Sequence, residues 1–98
     1  MKGSISATQI KFPILSEPLR LGSEGRFVKV LQLQLESQGF FLGRVDGVFG
    51  RNTLAAVRAF QAEFGLSIDG VVGAATWRNL GGEYYGREKV VFPMSIFS

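Results

Sequence analysis

The middle of the chain repeats apolar residues at three- and four-residue spacing, the period of an amphipathic helix. The first series consists of Val28, Leu31 and Leu35. Ser23 is a suitable N-cap for this series, and Gly39 stands where a helix commonly ends in a left-handed residue. We therefore predict a helix over about residues 24–38.

Two further helices follow from the same reasoning. The second has one apolar face, formed by Leu54, Val57, Phe60 and Phe64. Gly50 precedes this helix as its N-cap, and Gly65 ends it. A shorter helix over about residues 74–80 turns Trp77 inward before two consecutive glycines break it. Because short loops make neighbouring helices antiparallel, the pattern predicts an all-α fold, a small three-helix bundle.

An eight-residue pattern that opens a helix occurs twice in the chain. Its two copies are Asp46-Gly47-Val48-Phe49-Gly50-Arg51-Asn52-Thr53 and Asp69-Gly70-Val71-Val72-Gly73-Ala74-Ala75-Thr76. In an Asp-Gly turn the carboxylate accepts the N–H two residues on, and the glycine adopts a positive φ without steric cost. We infer an internal duplication of one loop-helix unit. Its structural turn residues are Asp46, Gly47, Gly50, Asp69, Gly70 and Gly73.

The segments on both sides of this central domain alternate apolar and polar residues, and each contains a proline. We divide the chain into an N-terminal arm (1–18), the helical domain (19–82) and a C-terminal arm (83–98), both arms being extended. The arms either wrap the bundle or dock on a partner, through a protein partner or self-association, as a strand added to a sheet edge does. Disorder is the remaining alternative.

Composition narrows the classes of function. The chain has 98 residues, of which 46% are hydrophobic and 19% charged, as expected of one small folded domain. The net charge of +3 is scattered rather than gathered in a stripe, so we expect no nucleic acid partner. We find no apolar run long enough for a signal peptide or a membrane span, and we expect no membrane insertion.

Catalytic and metal chemistry have little support. The chain contains neither Cys nor His, which removes thiol nucleophiles, imidazole bases and the usual zinc ligands. Asp46 and Asp69 are its only aspartates and invite comparison with the carboxylate pair of a glycosidase. If each caps its own loop, the two need not share a cleft, and each loop offers a calcium ion only one carboxylate. We predict no enzyme activity, no metal and no cofactor.

Three further side chains have two interpretations each. Gln32 and Gln61 occupy matching places in the first two helices, and their amides can bond the backbone of the repeated loops or contact a ligand. Trp77 is either a core residue or a platform on which a sugar stacks.

About 60 residues of the chain carry a family resemblance. The matching residues are Leu21-Gly22-Ser23, Gly25, Val28, Leu31-Gln32, Leu35, Gly39, Asp46-Gly47-Val48-Phe49-Gly50, Thr53, Ala56-Val57, Phe60-Gln61, Gly65-Leu66, Asp69-Gly70-Val71-Val72-Gly73, Thr76-Trp77 and Leu80. They resemble the three-helix peptidoglycan-binding domain that is often appended to bacterial cell-wall hydrolases. The resemblance implies a non-catalytic domain that holds a partner enzyme or particle against the wall. Arg51 departs from the family, which commonly has proline at this first helical position.

A groove beside the second helix is the candidate binding site. The connection between Gly39 and Asp46 is longer than its counterpart in the second copy and forms one rim of this groove. The helix start favours carboxylates, such as those of peptide stems and muramic acid, and an arginine adds a bidentate contact. The predicted ligand-binding residues are Phe41, Arg44, Phe49, Arg51 and Asn52. The alternative is a solvated helix start with a charged first turn.

Phe49 is included because the second copy has Val72 at that place, so the fold constrains the position less and an aromatic ring there can face a sugar.

The sequence is compatible with two functions. In the first, the chain binds bacterial peptidoglycan, through its glycan or its peptide stem, without catalysis and anchors a partner or particle to the wall. In the second, it is a structural adaptor of a larger assembly, such as a phage tail or a wall-penetrating machine, docked through its apolar arms. Both place it at the bacterial cell wall or in a particle.

Overall fold

The structure is a computed structural model that describes residues 13–85, and this part of the protein contains three helices. They are α1 (Arg26–Ser37), α2 (Arg51–Glu63) and α3 (Ala74–Leu80). The predicted all-α class with three helices is confirmed. None of these three helices is long and apolar enough to cross a membrane.

The start of α1 differs from the prediction. Gly25, with φ 119°, is the N-cap, and no side chain caps the helix. Ser23, the predicted N-cap, instead accepts the N–H of Arg20 at its Oγ over 3.0 Å. The assignment of Ser23 was wrong because its hydroxyl closes a turn before the helix, and α1 begins only at Arg26.

The ends of α1 and α2 share one geometry. Gly39 and Gly65 follow the two helices with φ of 86° and 69°, in the left-handed region predicted for them. The N–H of Phe40 donates back to the Leu35 carbonyl over 2.8 Å, and the N–H of Leu66 makes the equivalent bond into α2, also over 2.8 Å. Both helices therefore end in a Schellman motif.

The core lies between the helices and includes residues from the connecting segments. Its buried apolar members are Leu15, Leu19, Val28, Leu31, Leu35, Phe41, Phe49, Ala56, Val57, Phe60, Val72, Trp77, Leu80 and Tyr84. Trp77 is fully buried and meets the edge of Phe27, with ring centroids 6.5 Å apart. Trp77 is therefore a core residue rather than a sugar platform.

A short segment before α1 lies along both Asp-Gly loops. Leu19 and Val72 exchange both backbone hydrogen bonds, over 3.1 and 2.8 Å. Four residues later, the Phe49 N–H donates to the Ser23 carbonyl, and the Gly22 N–H donates to the Phe49 carbonyl, each over 2.9 Å. One segment thus fixes the two loops relative to each other.

The described ends of the predicted arms meet on the bundle. Leu15 and Tyr84 form an isolated parallel bridge, in which the Leu15 N–H donates to the Glu83 carbonyl and the Tyr85 N–H to the Leu15 carbonyl, each over 2.9 Å. Leu15 and Tyr84 are buried in the core.

The parts of both arms nearest the helices therefore pack on the bundle. Residues 1–12 and 86–98 lie outside the described residues, and so does the predicted docking of these segments on a partner.

Candidate functional site

The first Asp-Gly loop is organised by a buried glutamine of α1. Gln32 is 1% exposed, and its Nε2 donates to Asp46 Oδ1 over 3.1 Å and to the Val48 carbonyl over 3.0 Å. The same nitrogen lies 3.0 Å from Thr53 Oγ1. Its Oε1 accepts the N–H groups of Asp46 and Gly47 over 3.0 and 2.8 Å. One side chain thereby provides hydrogen-bond partners for backbone groups of an irregular loop, which forms no regular ladder of backbone hydrogen bonds within itself.

The second Asp-Gly loop has a corresponding arrangement around Gln61 of α2, without a counterpart of the bond from the Asp46 N–H. The Gln61 Nε2 donates to Asp69 Oδ1 and to the Val71 carbonyl, each over 3.0 Å. It also donates to Thr76 Oγ1 over 3.1 Å, while Oε1 accepts the Gly70 N–H over 3.0 Å. Both glutamine amides thus bond the loops, the first of their two interpretations.

Each aspartate closes a turn with the residue two positions on. Asp46 Oδ1 accepts the Val48 N–H over 3.0 Å, and Asp69 Oδ1 accepts the Val71 N–H over 2.9 Å. The Val48 N–H and then the Gln32 amide lower the pKa of Asp46, and the Val71 N–H is the main group that lowers the pKa of Asp69. Both carboxylates are therefore ionised near neutral pH.

The glycines of the two loops divide into two kinds. Gly47 and Gly70 have φ of 78° and 75°, and a Cβ on Gly70 would lie 2.6 Å from Leu54 Cδ1. Gly50 and Gly73 are the N-caps of α2 and α3 in extended conformation, with φ of −107° and −103°. The first pair thus requires left-handed backbone, and the second pair does not.

A groove of about 350 Å³ opens beside the start of α2. Its lining residues are Gln32, Phe41, Arg44, Asp46, Val48, Gly50, Arg51, Asn52 and Thr53. Four of the five predicted ligand-binding residues, namely Phe41, Arg44, Arg51 and Asn52, are brought together here. Phe41 is 2% exposed and forms part of the inner wall.

Phe49 does not line the groove, and its predicted role as an exposed ring was wrong. It is 1% exposed because both its backbone groups pair with the segment before α1, which leaves the ring in the core. Val72, its counterpart in the second copy, is also buried. The difference between the copies therefore reflects two core sites of different size.

Two further residues of this site, Gly43 and Thr53, were not among the predicted ligand-binding residues. A Cβ on Gly43 would lie 3.1 Å from the Phe41 ring and 3.3 Å from Asn52 Nδ2, so this glycine lets the loop approach the groove wall. Thr53 was part of the repeated pattern, and its recurrence as Thr76 was the signal for its bond to the glutamine.

Charges of both signs line the groove. Arg44 and Arg51 are exposed, and within residues 13–85 neither makes an ion pair with a carboxylate. Asp46 is the one carboxylate among the lining residues. In the described part of the chain, no group of three or more His, Cys, Asp or Glu side chains is placed to hold a metal ion.

Comparison with known families agrees with this architecture. Residues 24–80 match the model of a putative peptidoglycan binding domain. The fold and the matched residues define a helical domain of the peptidoglycan-binding class. The chain belongs to the putative peptidoglycan binding domain family, as the resemblance predicted.

Relatives of known structure and function include cell-wall enzymes. The chain is 46% identical over 61 residues to a spore cortex-lytic enzyme of Bacillus cereus, covering 62% of this chain and 24% of that enzyme. The crystal structure of the SleB N-terminal domain superposes with a TM-score of 0.68 at 43% identity, covering 69% of this chain and 93% of that domain. A Burkholderia AP3 phage endolysin gives 0.63 at 43% identity, covering 66% and 25%. The chain thus spans about a quarter of the length of the spore enzyme.

Proposed function

We propose that this chain is a non-catalytic module that binds peptidoglycan in the groove beside α2 and holds a partner or particle at the wall. The family membership supports wall binding, and a comparison of the two loop copies supports the location of the site.

Both copies keep the side chains that build the loop, a glutamine, an aspartate and a threonine. The copies differ at three positions, where Arg44, Arg51 and Asn52 of the first copy correspond to the smaller, uncharged Ser67, Ala74 and Ala75 of the second. The second loop forms the corresponding bonds from its glutamine to the aspartate, the backbone and the threonine without the two guanidinium groups and the amide, so the first loop does not need them for these bonds. Their presence around an open groove is the observation that carries the proposal.

The chemistry of the groove suits the carboxylates of peptide stems. The first hydrogen bond of α2 runs from the Leu54 N–H to the Gly50 carbonyl over 3.0 Å, so the preceding N–H groups of the first turn have no partner within the helix. This end of the helix attracts negative charge, and guanidinium groups bind carboxylates in a bidentate manner. Arg44 and Arg51 lie at the groove without a competing ion pair within residues 13–85.

The groove does not offer a pair of carboxylates for hydrolysis. Glycoside hydrolysis normally uses two carboxyl groups on either side of the bond, and Asp46 is the one such group lining this groove. The second aspartate, Asp69, belongs to the other loop and is not part of the groove. Since the matched part is 24% of the spore cortex-lytic enzyme, we carry over binding from this relative and not lysis.

A pull-down with insoluble peptidoglycan sacculi tests the proposal. We expect the wild-type chain to sediment with sacculi, and Arg44→Ala and Arg51→Ala each to weaken binding about tenfold through loss of a charge-assisted contact. Arg20→Ala is the matched control, because Arg20 is exposed and does not line the groove.

Circular dichroism establishes that each variant keeps its helices. A folded wild-type chain that fails to sediment at low salt would overturn the proposal and favour the adaptor function instead. Equal losses in all three arginine variants would overturn the location of the site, since they would indicate an unspecific charge effect.

A further inference from the structure

Groups of opposite charge line the groove and form no ion pair within the described residues, although the positive charge of Arg44 contributes to the lowered pKa of Asp46. Asp46 receives hydrogen bonds from Val48 and Gln32, and both end at Oδ1. Its Oδ2 accepts no hydrogen bond from another residue in the range 13–85. Arg44 and Arg51 line the same groove, and neither is tied up in an ion pair with a described carboxylate.

This combination favours a ligand that carries both charges over a ligand that carries only one of them. Asp46 is exposed, and the hydrogen bonds at Oδ1 lower its pKa, so it stays negative at neutral pH. A simple anion would be attracted by the two arginines and repelled by Asp46, and a simple cation would meet the reverse. A neutral sugar would form hydrogen bonds with these groups but would balance neither charge. A ligand that carries an ammonium and a carboxylate together uses both.

We propose that the groove recognises a zwitterionic amino-acid centre, with its ammonium group at Asp46 and its carboxylate at Arg44, Arg51 and the start of α2. The inference rests on the proposed function and names the part of the wall involved. Stem peptides that contain a diamino dicarboxylic acid, such as diaminopimelate, carry such a centre while they are not cross-linked. Cross-linking converts the amino group to an amide and removes its charge. The groove therefore selects stems whose amino group is free.

The second loop provides the internal reference for this proposal. Asp69 forms the same turn and the same bond to a glutamine as Asp46, but Ser67 and Ala74 stand where the groove has its arginines. A change of Asp69 to Asn therefore measures the cost of the substitution to the fold alone. Asp46→Asn has the same cost to the fold and, in addition, removes the negative charge from the groove, so the difference between the two variants measures the effect on ligand binding.

Titration with a synthetic stem tripeptide tests the proposal. The parent probe is N-acetyl-L-Ala-γ-D-Glu-meso-diaminopimelate, whose last residue carries a free zwitterionic centre. One derivative is acetylated at the amino group of that centre, and a second is amidated at its carboxyl group. Chemical shifts of backbone amides report both the affinity and the place of binding.

We expect the wild type to bind the parent about tenfold more tightly than either derivative, because each derivative loses one charge-assisted contact. In Asp46→Asn we expect the preference over the acetylated probe to vanish while the preference over the amidated probe remains. Arg51→Ala should show the opposite pattern. Asp69→Asn should keep both preferences.

Equal affinities of the wild type for all three probes, with sedimentation on sacculi intact, would overturn this inference and leave the proposed function standing. Failure to bind both sacculi and probes would overturn the two together. Loss of both preferences in Asp69→Asn would also overturn the inference, because it would trace the discrimination to folding rather than to charge in the groove.

Discussion

At the scale of single residues, the most consequential side chains are two buried amides. Gln32 and Gln61 are each 1% exposed, and each connects its helix to a loop and to the start of the next helix. An amide suits this position because it donates and accepts at once and carries no charge that burial would penalise. The loops therefore depend on a residue that lies outside them in sequence.

We predict that Gln32→Ala lowers the free energy of unfolding by about 3 kcal/mol, because the buried N–H of Gly47 and its neighbours lose their partner. Gln34→Ala is the matched control on the same helix. Its amide makes a single bond, to the Leu80 carbonyl over 3.2 Å, so its loss should cost less than about 1 kcal/mol.

Urea denaturation followed by circular dichroism compares the two variants. Equal losses would contradict the organising role of Gln32, because alanine has a higher helix propensity than glutamine and propensity alone would not lower the stability of either variant.

The prediction of individual residues from sequence succeeded where the partner was part of a repeated pattern. The matching places of Gln32 and Gln61 indicated that their amides bond the loops, and the hydrogen bonds are present. Phe49 could not be placed in the same way. Its burial follows from pairing with the segment before α1, a contact that no local spacing encodes.

At the scale of elements, helix boundaries are set by backbone conformation rather than by capping side chains. The N-caps of all three helices in the described chain are glycines without a side-chain cap bond. The ranges predicted for the first and third helices, 24–38 and 74–80, are close to the observed bounds of α1 (Arg26–Ser37) and α3 (Ala74–Leu80). The helix bounds could be predicted because glycines mark the helix ends locally in the sequence. The β-bridges join segments that are distant in sequence, so the glycine positions did not predict these bridges.

We predict that Gly65→Ala lowers the free energy of unfolding by about 1 kcal/mol. The φ of 69° is unfavourable for alanine, whereas an added Cβ would meet no atom within 4 Å, so the loss is confined to backbone strain. Gly65→Asn should lose less than alanine, because asparagine tolerates the left-handed region.

Thermal unfolding of both variants beside the wild type measures these losses. A stability of Gly65→Ala equal to that of the wild type would show that the end of α2 can adopt another conformation without cost.

At the scale of the whole molecule, the helical domain extends beyond the three helices. Leu15 and Tyr84 come from the two segments predicted to be arms, yet they are 2% and 6% exposed. The predicted alternation in the N-terminal arm did not include Leu15, and most of that arm lies outside the described residues. The sequence did not indicate that the two segments pair with each other, because they are separated by the entire bundle.

We predict that Leu15→Ala lowers the free energy of unfolding by about 3 kcal/mol, because it opens a cavity in the core. Ile14→Ala, at the adjacent residue, should cost less than about 1 kcal/mol, since that side chain is 49% exposed. The fluorescence of Trp77, the one tryptophan, follows unfolding in both variants.

Losses of equal size in these two variants would contradict the inclusion of Leu15 in the core.

The parallel bridge between Leu15 and Tyr84 also determines how the domain carries mechanical load. In a parallel pair the chain enters at one end of the first segment and leaves at the opposite end of the second. Tension applied through Pro13 and Tyr85 therefore pulls the paired segments past each other in shear. Both hydrogen bonds of the bridge, each 2.9 Å long, are then loaded together rather than one after the other. The two ends of the described chain are therefore hydrogen-bonded to each other at the positions where a tether under tension would apply force.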